Sequence, residues 1–136
     1  MKIYTSDSGK SILLFSQSLW HSLYSTAVVR LSEDDKDFLQ FAMDFLNAGN
    51  CAADDAQITA RQLELMRKRF AKIVPEKAVY NRNKSAAKAQ WGDGVNQTAT
   101  SCADFFITAD GKDLFEEMIG LLKYADQQNV DTLSDL

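Results

Sequence analysis

The sequence predicts a mainly α fold, with α+β as the alternative, in which residues 1–136 form one compact domain of about four helices and a few short strands. Apolar residues recur every three or four positions in several segments, which is the period of a helix with one buried face. Ser or Asp precedes these segments, where it can cap a helix, and Gly49, Pro75 and Asn129 follow them. With 46% hydrophobic residues, 136 residues suffice to bury a core without metal or disulfide bonds.

The first half of the chain is predicted to hold one strand and two helices. Ile3 to Thr5 has the composition of a short strand, and Asp7-Ser8-Gly9 supplies a turn after it. Apolar spacing predicts a helix from Ile12 to Leu31. A second helix begins at Ser32, which forms a capping box with Asp35, and ends at Gly49 and Asn50. The predicted inner face of this second helix consists of Phe38, Phe41, Ala42, Phe45 and Leu46.

The second half is predicted to hold two further helices. The third helix is capped by Asp54 or Asp55 and runs to about Val74, since Pro75 opposes its continuation. Its predicted inner face consists of Leu63, Met66, Phe70, Ile73 and Val74. The last helix begins after Asp110 and Asp113 and ends at Asn129. Its predicted apolar positions are Leu114, Phe115, Met118, Ile119, Leu122 and Ala125.

The connection between these two helices is not predicted in detail. Residues 76–108 contain many loop-forming residues, with Val79, Tyr80 and Trp91 as apolar anchors. Cys102 to Thr108 fits either a strand or an extended connector. After the last helix, Leu133 and Leu136 are expected to fold back or to fray.

The charges of the chain are sorted along its length. From Arg61 to Lys88 nine Lys or Arg residues face two Glu residues, whereas from Trp91 to Leu136 nine Asp or Glu residues face two Lys residues. The net charge is −4. This sorting predicts surface patches of opposite sign, which act on the choice of partner and on the association rate.

No residues in the sequence form a persuasive catalytic, cofactor or metal site. His21 is the single histidine, which excludes metal sites that need two imidazoles, and a structural or surface role is the favoured interpretation. A pairing of His21 with Cys51 or Cys102 has no local support, and the cysteines are interpreted as reduced thiols. Gly92-Asp93-Gly94 lacks the spacing of a phosphate-binding loop. We therefore expect neither enzymatic activity nor a cofactor.

Two acidic segments are the remaining candidates for function. Asp110, Asp113, Glu116 and Glu117 lie within two helical turns, where capping and solvation are the favoured role, followed by electrostatic docking and then by catalysis. The earlier segment, Glu33 to Asp37, either supports the start of a helix or binds a partner.

Several short motifs resemble the C-terminal half of a family of bacterial immunity proteins that accompany contact-dependent growth inhibition and related polymorphic toxins. The resemblance covers roughly Ala60 to Val130. The motifs are Pro75-Glu76-Lys77-Ala78-Val79-Tyr80-Asn81, Trp91-Gly92, Thr100-Ser101-Cys102-Ala103-Asp104 and Thr108-Ala109-Asp110-Gly111-Lys112-Asp113-Leu114.

The resemblance implies a small cytoplasmic protein that binds and neutralises the C-terminal domain of a cognate toxin, with no reaction or cofactor of its own. Many such toxins are basic nucleases, which an acidic surface would attract. From charge and predicted exposure, we predict the toxin-binding residues Asp104, Asp110, Asp113, Glu116 and Glu117. The alternative toxin-binding set is Glu33, Asp34, Asp35 and Asp37.

Two other classes of function are weighed against this one. A small nucleic-acid-binding regulator would use the basic segment 61–88, although the acidic remainder of the chain makes nucleic acid an unlikely partner. An enzyme with a thiol or carboxylate site ranks last. The longest apolar run has four residues, Ile12 to Phe15, so a membrane partner is not expected either.

Overall fold

The computed structural model describes residues 1–81 and 94–135. Five helices and three short strands occur in this part of the chain, which confirms the predicted mainly α fold. In chain order they are β1 (Lys2–Thr5), β2 (Ser11–Leu13), α1 (Gln17–Arg30), α2 (Glu33–Phe38), α3 (Gln40–Ala48), α4 (Ala56–Phe70), α5 (Leu114–Gln128) and β3 (Thr132–Ser134). Single 3-10 turns lie at Ala53–Asp55 and Pro75–Lys77.

The three strands form one antiparallel sheet in the order β2-β1-β3. Ile3, in the central strand, is fully buried and pairs with Ile12 on one side and with Ser134 on the other. The segment after α5 therefore folds back onto the sheet, which was one of the two outcomes predicted for it, and Leu133 pairs with Tyr4. Leu136 lies outside the described residues.

The prediction of one helix from Ile12 to Leu31 was wrong at its start. Ile12 and Leu14 are buried while Leu13 and Phe15 are exposed, which is the alternation of a strand rather than of a helix. Helix α1 starts only after Ser16, whose hydroxyl accepts a hydrogen bond from the backbone N–H of Leu19 at 3.2 Å.

The second predicted helix is divided into α2 and α3. Ser32 caps α2 as predicted, since its hydroxyl accepts from the backbone N–H of Asp35 at 3.1 Å. The chain then bends at Leu39, where φ is −102° and ψ is 34°, and the side chain of Leu39 enters the core. Because of this bend, Phe38 does not join the buried stripe. Helix α3 ends at Gly49, whose φ of 73° is the left-handed conformation that glycine favours.

Helices α4 and α5 pack against each other at the centre of the molecule. The rings of Phe70 and Phe115 meet edge to face, with their centroids 5.2 Å apart. Helix α4 ends at Phe70, before the predicted Val74, and Val74 is exposed rather than part of the inner face. Asp55 precedes α4 without making the predicted side-chain cap, whereas Asp113 does cap α5.

The described residues between α4 and α5, 71–81 and 94–113, are held mainly by hydrogen bonds outside regular helices and strands. The backbone N–H of Val79 donates to the hydroxyl of Thr26 at 2.9 Å, and that of Cys102 donates to the carbonyl oxygen of Ile73 at 2.8 Å. Residues 102–105 form turns, and Phe106 and Ile107 make isolated antiparallel bridges to Val95 and Asp113, so residues 102–108 are neither of the two predicted forms, a strand or an extended connector. Val79 is buried as predicted. The predicted anchor Trp91 and the Gly92-Asp93 pair lie outside the described residues.

Candidate binding surfaces

His21 does not form a nucleophile and base pair with either cysteine in the described part of the chain. It lines an open cavity of about 380 Å³ together with Trp20, Tyr24 and Tyr80, and neither Cys51 nor Cys102 lines it. Among residues 1–81 and 94–135 there is no group of three or more His, Cys, Asp or Glu side chains placed to hold a metal ion. Aromatic and amide side chains make up most of the lining of the cavity beside His21.

The two cysteines are buried free thiols. Burial raises the pKa of Cys102 to about 12, and the thiol donates a weak hydrogen bond to the carbonyl oxygen of Val74. Burial also raises the pKa of Cys51, whose sulfur lies 3.5 Å from the hydroxyl of Thr59. Since the thiolate is the nucleophile, thiols that stay protonated at neutral pH are inert.

Two of the predicted toxin-binding carboxylates have structural roles. Asp113 accepts from the backbone N–H of Glu116 at 3.1 Å and forms an ion pair with Arg67 at 3.1 Å, so it joins the start of α5 to α4. Burial opposes the ionisation of Asp104, but hydrogen bonds from the backbone of Ser101 and Thr100 outweigh it and hold the pKa of this carboxyl below its ordinary value. Both side chains are only partly exposed.

Of the other three predicted carboxylates, two lie beside a lysine. The ammonium group of Lys112 is 3.5 Å from Asp110 and 3.9 Å from Glu117. A hydrogen bond from the hydroxyl of Thr108 lowers the pKa of Asp110, so this residue is ionised at neutral pH. Glu116 is exposed in the first turn of α5. The negative charge of this set is thus partly compensated by Lys112.

The alternative set on α2 is divided between paired and unpaired carboxylates. Glu33 forms an ion pair with Lys36 at 2.7 Å, and Asp35 forms one with Arg69 at 3.3 Å. Asp34 and Asp37 are exposed, and neither has an ion-pair partner among the described residues. The structure therefore places two uncompensated carboxylates on one short helix.

The predicted basic segment is partly neutralised. Arg67 and Arg69 are paired with Asp113 and Asp35, whereas the exposed Arg61, Lys68, Lys72 and Lys77 have no ion-pair partner among the described residues. Glu64 pairs not with Lys68, which lies one turn later on the same helix, but with Lys123 on α5 at 3.0 Å. Arg82, Lys84 and Lys88 lie outside the described residues.

Exposed phenylalanines are the feature of the surface that sequence reasoning missed. Phe38 is 69% exposed and Phe41 is 38% exposed, although both were predicted to lie in the core. A second exposed pair, Leu13 and Phe15, lies at β2, where Leu13 helps to line a cavity of about 370 Å³ with Asp110, Lys112 and Glu117. Apolar surface next to charge is a common property of sites that bind proteins.

A family model described as immunity protein 70 matches residues 14–133, which is nearly the whole chain. The chain belongs to the immunity protein 70 family. A search of curated proteins and a search of solved structures each gave no match. The match covers α1 to α5 and extends over the N-terminal half, where the sequence motifs gave little resemblance.

Membership of an immunity protein family gives this chain a toxin protein as its partner. In this immunity protein, no helix of the described residues is long and apolar enough to cross a membrane. Among the described residues, two surfaces combine exposed apolar side chains with carboxylates, namely the α2 carboxylates with Phe38 and Phe41, and Asp110 and Glu117 with Leu13. The exposure of Phe38 follows from the bend at Leu39, and the spacing of apolar residues in the sequence does not reveal this bend.

Proposed function

We propose that this immunity protein neutralises a cognate toxin by binding the C-terminal domain of the toxin, and that this domain is a basic nuclease delivered by contact-dependent growth inhibition. The observation that carries the proposal is the family match over residues 14–133. The site of action is the cytoplasm of the bacterial cell that receives the toxin, where a nuclease meets its substrate. Docking involves no turnover, so the proposal includes no cofactor and no small-molecule substrate.

The charge of the chain supports a basic partner. The net charge of −4 and the exposed carboxylates would attract a nuclease whose Lys and Arg residues bind phosphate. Opposite potentials speed the encounter and disfavour wrong partners, and this effect weakens as salt rises. An immunity protein must capture its toxin before the toxin reaches its substrate, so a fast encounter is useful.

The carboxylates proposed for toxin contact differ in whether they already form hydrogen bonds or ion pairs within the chain. Asp104 and Asp113 hold the fold in place, which leaves Asp110, Glu116 and Glu117 of the first set. Asp34 and Asp37 are the freest members of the alternative set. A partner can therefore approach either the start of α5 or helix α2.

The alternative function, a nucleic-acid-binding regulator that uses residues 61–88, has weaker support. Four exposed cations, Arg61, Lys68, Lys72 and Lys77, favour it. Two of the strongest phosphate ligands in the segment, Arg67 and Arg69, are instead occupied by carboxylates of the same chain. Sequence-independent binding depends on the number of phosphates that are neutralised, so this pairing reduces it.

Growth of a bacterial host tests the proposed function. A toxin domain whose reading frame is found beside that of this chain is induced alone, together with this chain, or together with an immunity protein of another toxin as the control. We expect growth to stop in the first and third cultures and to continue in the second, and nucleic acid to be degraded only where growth stops. Growth arrest despite soluble, folded immunity protein would contradict neutralisation. Arrest without loss of nucleic acid would contradict the nuclease assignment alone.

A further inference from the structure

Helix α2 contributes no buried residue to the protein, yet it carries its most exposed large apolar side chain among the described residues. All six residues from Glu33 to Phe38 are exposed or half-buried, and Phe38 is 69% exposed. An exposed phenylalanine adds less to the stability of a fold than a buried one, because its apolar surface stays in contact with water. The stability of the fold therefore does not explain a phenylalanine at this position.

Helix α2 is nevertheless held firmly in place. The hydroxyl of Ser32 caps its first turn, and the ammonium group of Lys36 donates to the carbonyl oxygen of Val28 at 2.9 Å. The ion pair between Asp35 and Arg69 joins α2 to the last turn of α4. Phe38 is therefore presented on a helix that is tied to α1 and α4, which reduces the entropy lost when a partner binds.

Carboxylates are close in the chain to the exposed phenylalanines, and two of them, Asp37 and Asp44, line the same open cavity. Asp34 lies one helical turn before Phe38, so the two side chains share a face of α2. Asp37 is adjacent to Phe38 in the chain. On α3, the exposed Phe41 and Asp44 are three residues apart and also share a face. We call Asp34, Asp37, Phe38, Phe41 and Asp44 the α2–α3 surface.

We propose that the α2–α3 surface is the docking face for the cognate toxin domain, with Phe38 as the apolar anchor and the three aspartates as ligands for Lys and Arg of the toxin. This inference rests on the proposed function and adds the location of the interface. Binding energy in protein interfaces is concentrated in a few anchors that are enclosed by polar contacts on binding. The arrangement of Phe38 among carboxylates has this form.

Charge complementarity favours the α2–α3 surface over the surface near the start of α5. Lys112 lies within 4 Å of both Asp110 and Glu117, so a cationic partner meets a positive charge there as well as negative ones. In the described residues, Asp34 and Asp37 have no such compensating cation, and Asp44 accepts only from the neutral amide of Gln40 at 2.8 Å. Lys36 lines a cavity with Asp37 and Asp44, but its ammonium group is bonded to Glu33 and to the carbonyl oxygen of Val28. A basic partner therefore meets carboxylates that form no ion pair with the described residues at Asp34 and Asp37.

Affinity measurements with the purified toxin domain test this interface. The variant Phe38→Ala removes the anchor, and Ile58→Ala is the control, because Ile58 is 40% exposed but lies in the first turn of α4, outside both candidate surfaces. We expect Phe38→Ala to raise Kd by about tenfold or more, mainly through faster dissociation. Ile58→Ala should change Kd by less than about threefold. The double variant Asp34→Lys/Asp37→Lys should slow association and reduce its salt dependence.

Each outcome of this experiment has a distinct meaning. If the unmodified chain binds the toxin domain and both α2 variants bind it equally well, the location of the interface is wrong while the proposed function stands. If the unmodified chain does not bind the toxin domain, both proposals fall. A free chain that is dimeric by light scattering and becomes monomeric with Phe38→Ala would show that a second copy covers this surface, which overturns the inference. Circular dichroism checks that each variant is folded.

Discussion

Arg67 and Asp113 form an ion pair at 3.1 Å between α4 and the residue that caps α5. One carboxylate oxygen of Asp113 accepts from the guanidinium group, and the other accepts from the backbone N–H of Glu116. A residue that sequence analysis assigned to toxin binding therefore fixes the start of α5, the helix that packs against α4. Removing its charge removes a link between these two helices.

Substitution of Asp113 should lower stability. Asp113→Ala removes the N-cap and the ion pair, and we expect the free energy of unfolding to fall by about 1–2 kcal/mol. Asp113→Asn keeps a capping side chain and loses only the ion pair, so it should cost about 0.5 kcal/mol. Urea denaturation measures both, with Glu116→Gln as the exposed control. Equal losses for Asn and Ala would contradict the capping role.

Charge reversal near the start of α5 should have little effect on toxin binding. In Asp110→Lys/Glu116→Lys the change is confined to two exposed carboxylates near the start of α5, and Asp113 is left intact. We expect Kd for the toxin domain to change by less than about threefold, because the interface lies on α2 and α3. Titration calorimetry measures it. A loss of about tenfold or more would move the interface to the residues first predicted from sequence.

Stability should fall in acid through carboxyls whose pKa is lowered by folding. Hydrogen bonds from the hydroxyl of Thr5, the backbone of Gly9 and the hydroxyl of Tyr124 hold the pKa of Asp7 below its usual 3.8. A lowered folded-state pKa gives stability that is complete above the usual value and is lost as the pH falls through the folded-state value. Urea denaturation from about pH 6 to about pH 3 should show this loss. Asp7→Asn should reduce the slope below about pH 4, and an unchanged slope would refute the role of Asp7.

The two cysteines should resist thiol reagents in the folded protein. With the pKa of Cys102 raised to about 12 and both thiols buried, almost no thiolate is accessible at neutral pH. We expect iodoacetamide to modify Cys51 and Cys102 only after denaturant is added, as mass spectrometry of intact protein would detect. Rapid modification of either thiol in the folded state would require an accessible, activated cysteine and would reopen the thiol-enzyme hypothesis.

The predictable parts of the fold are those in which a capping or terminating residue and the spacing of the apolar residues indicate the same element. In α5 the capping residue Asp113 and the apolar positions that follow it both indicate a helix. Gly49 marks the end of α3. The start of α1 was not predictable in this way, because Ile12 and Phe15 fit a helical period by chance while Ile12 and Leu14 follow the alternation of a strand. Which period applies is decided by the pairing of Ile12 with Ile3, a contact distant in the chain.

The candidate site was predictable in its charges but not in its apolar part. Sequence alone identified Asp34 and Asp37 as part of an acidic segment. It assigned Phe38 to the core, because a continuous helix through Leu39 would bury Phe38 with Phe41 and Phe45. The bend at Leu39 buries Leu39 instead and exposes Phe38. Only the tertiary packing of α3 against its neighbours decides between these alternatives.

The salt dependence of toxin binding tests the central claim most directly. Titration calorimetry of the chain with the purified toxin domain, at about 50 mM and then about 500 mM salt, measures whether two oppositely charged proteins dock. We predict a one-to-one complex whose affinity falls as salt rises, and no heat of binding when duplex DNA replaces the toxin. Absence of binding to the toxin domain at low salt, with both proteins folded, would contradict the account.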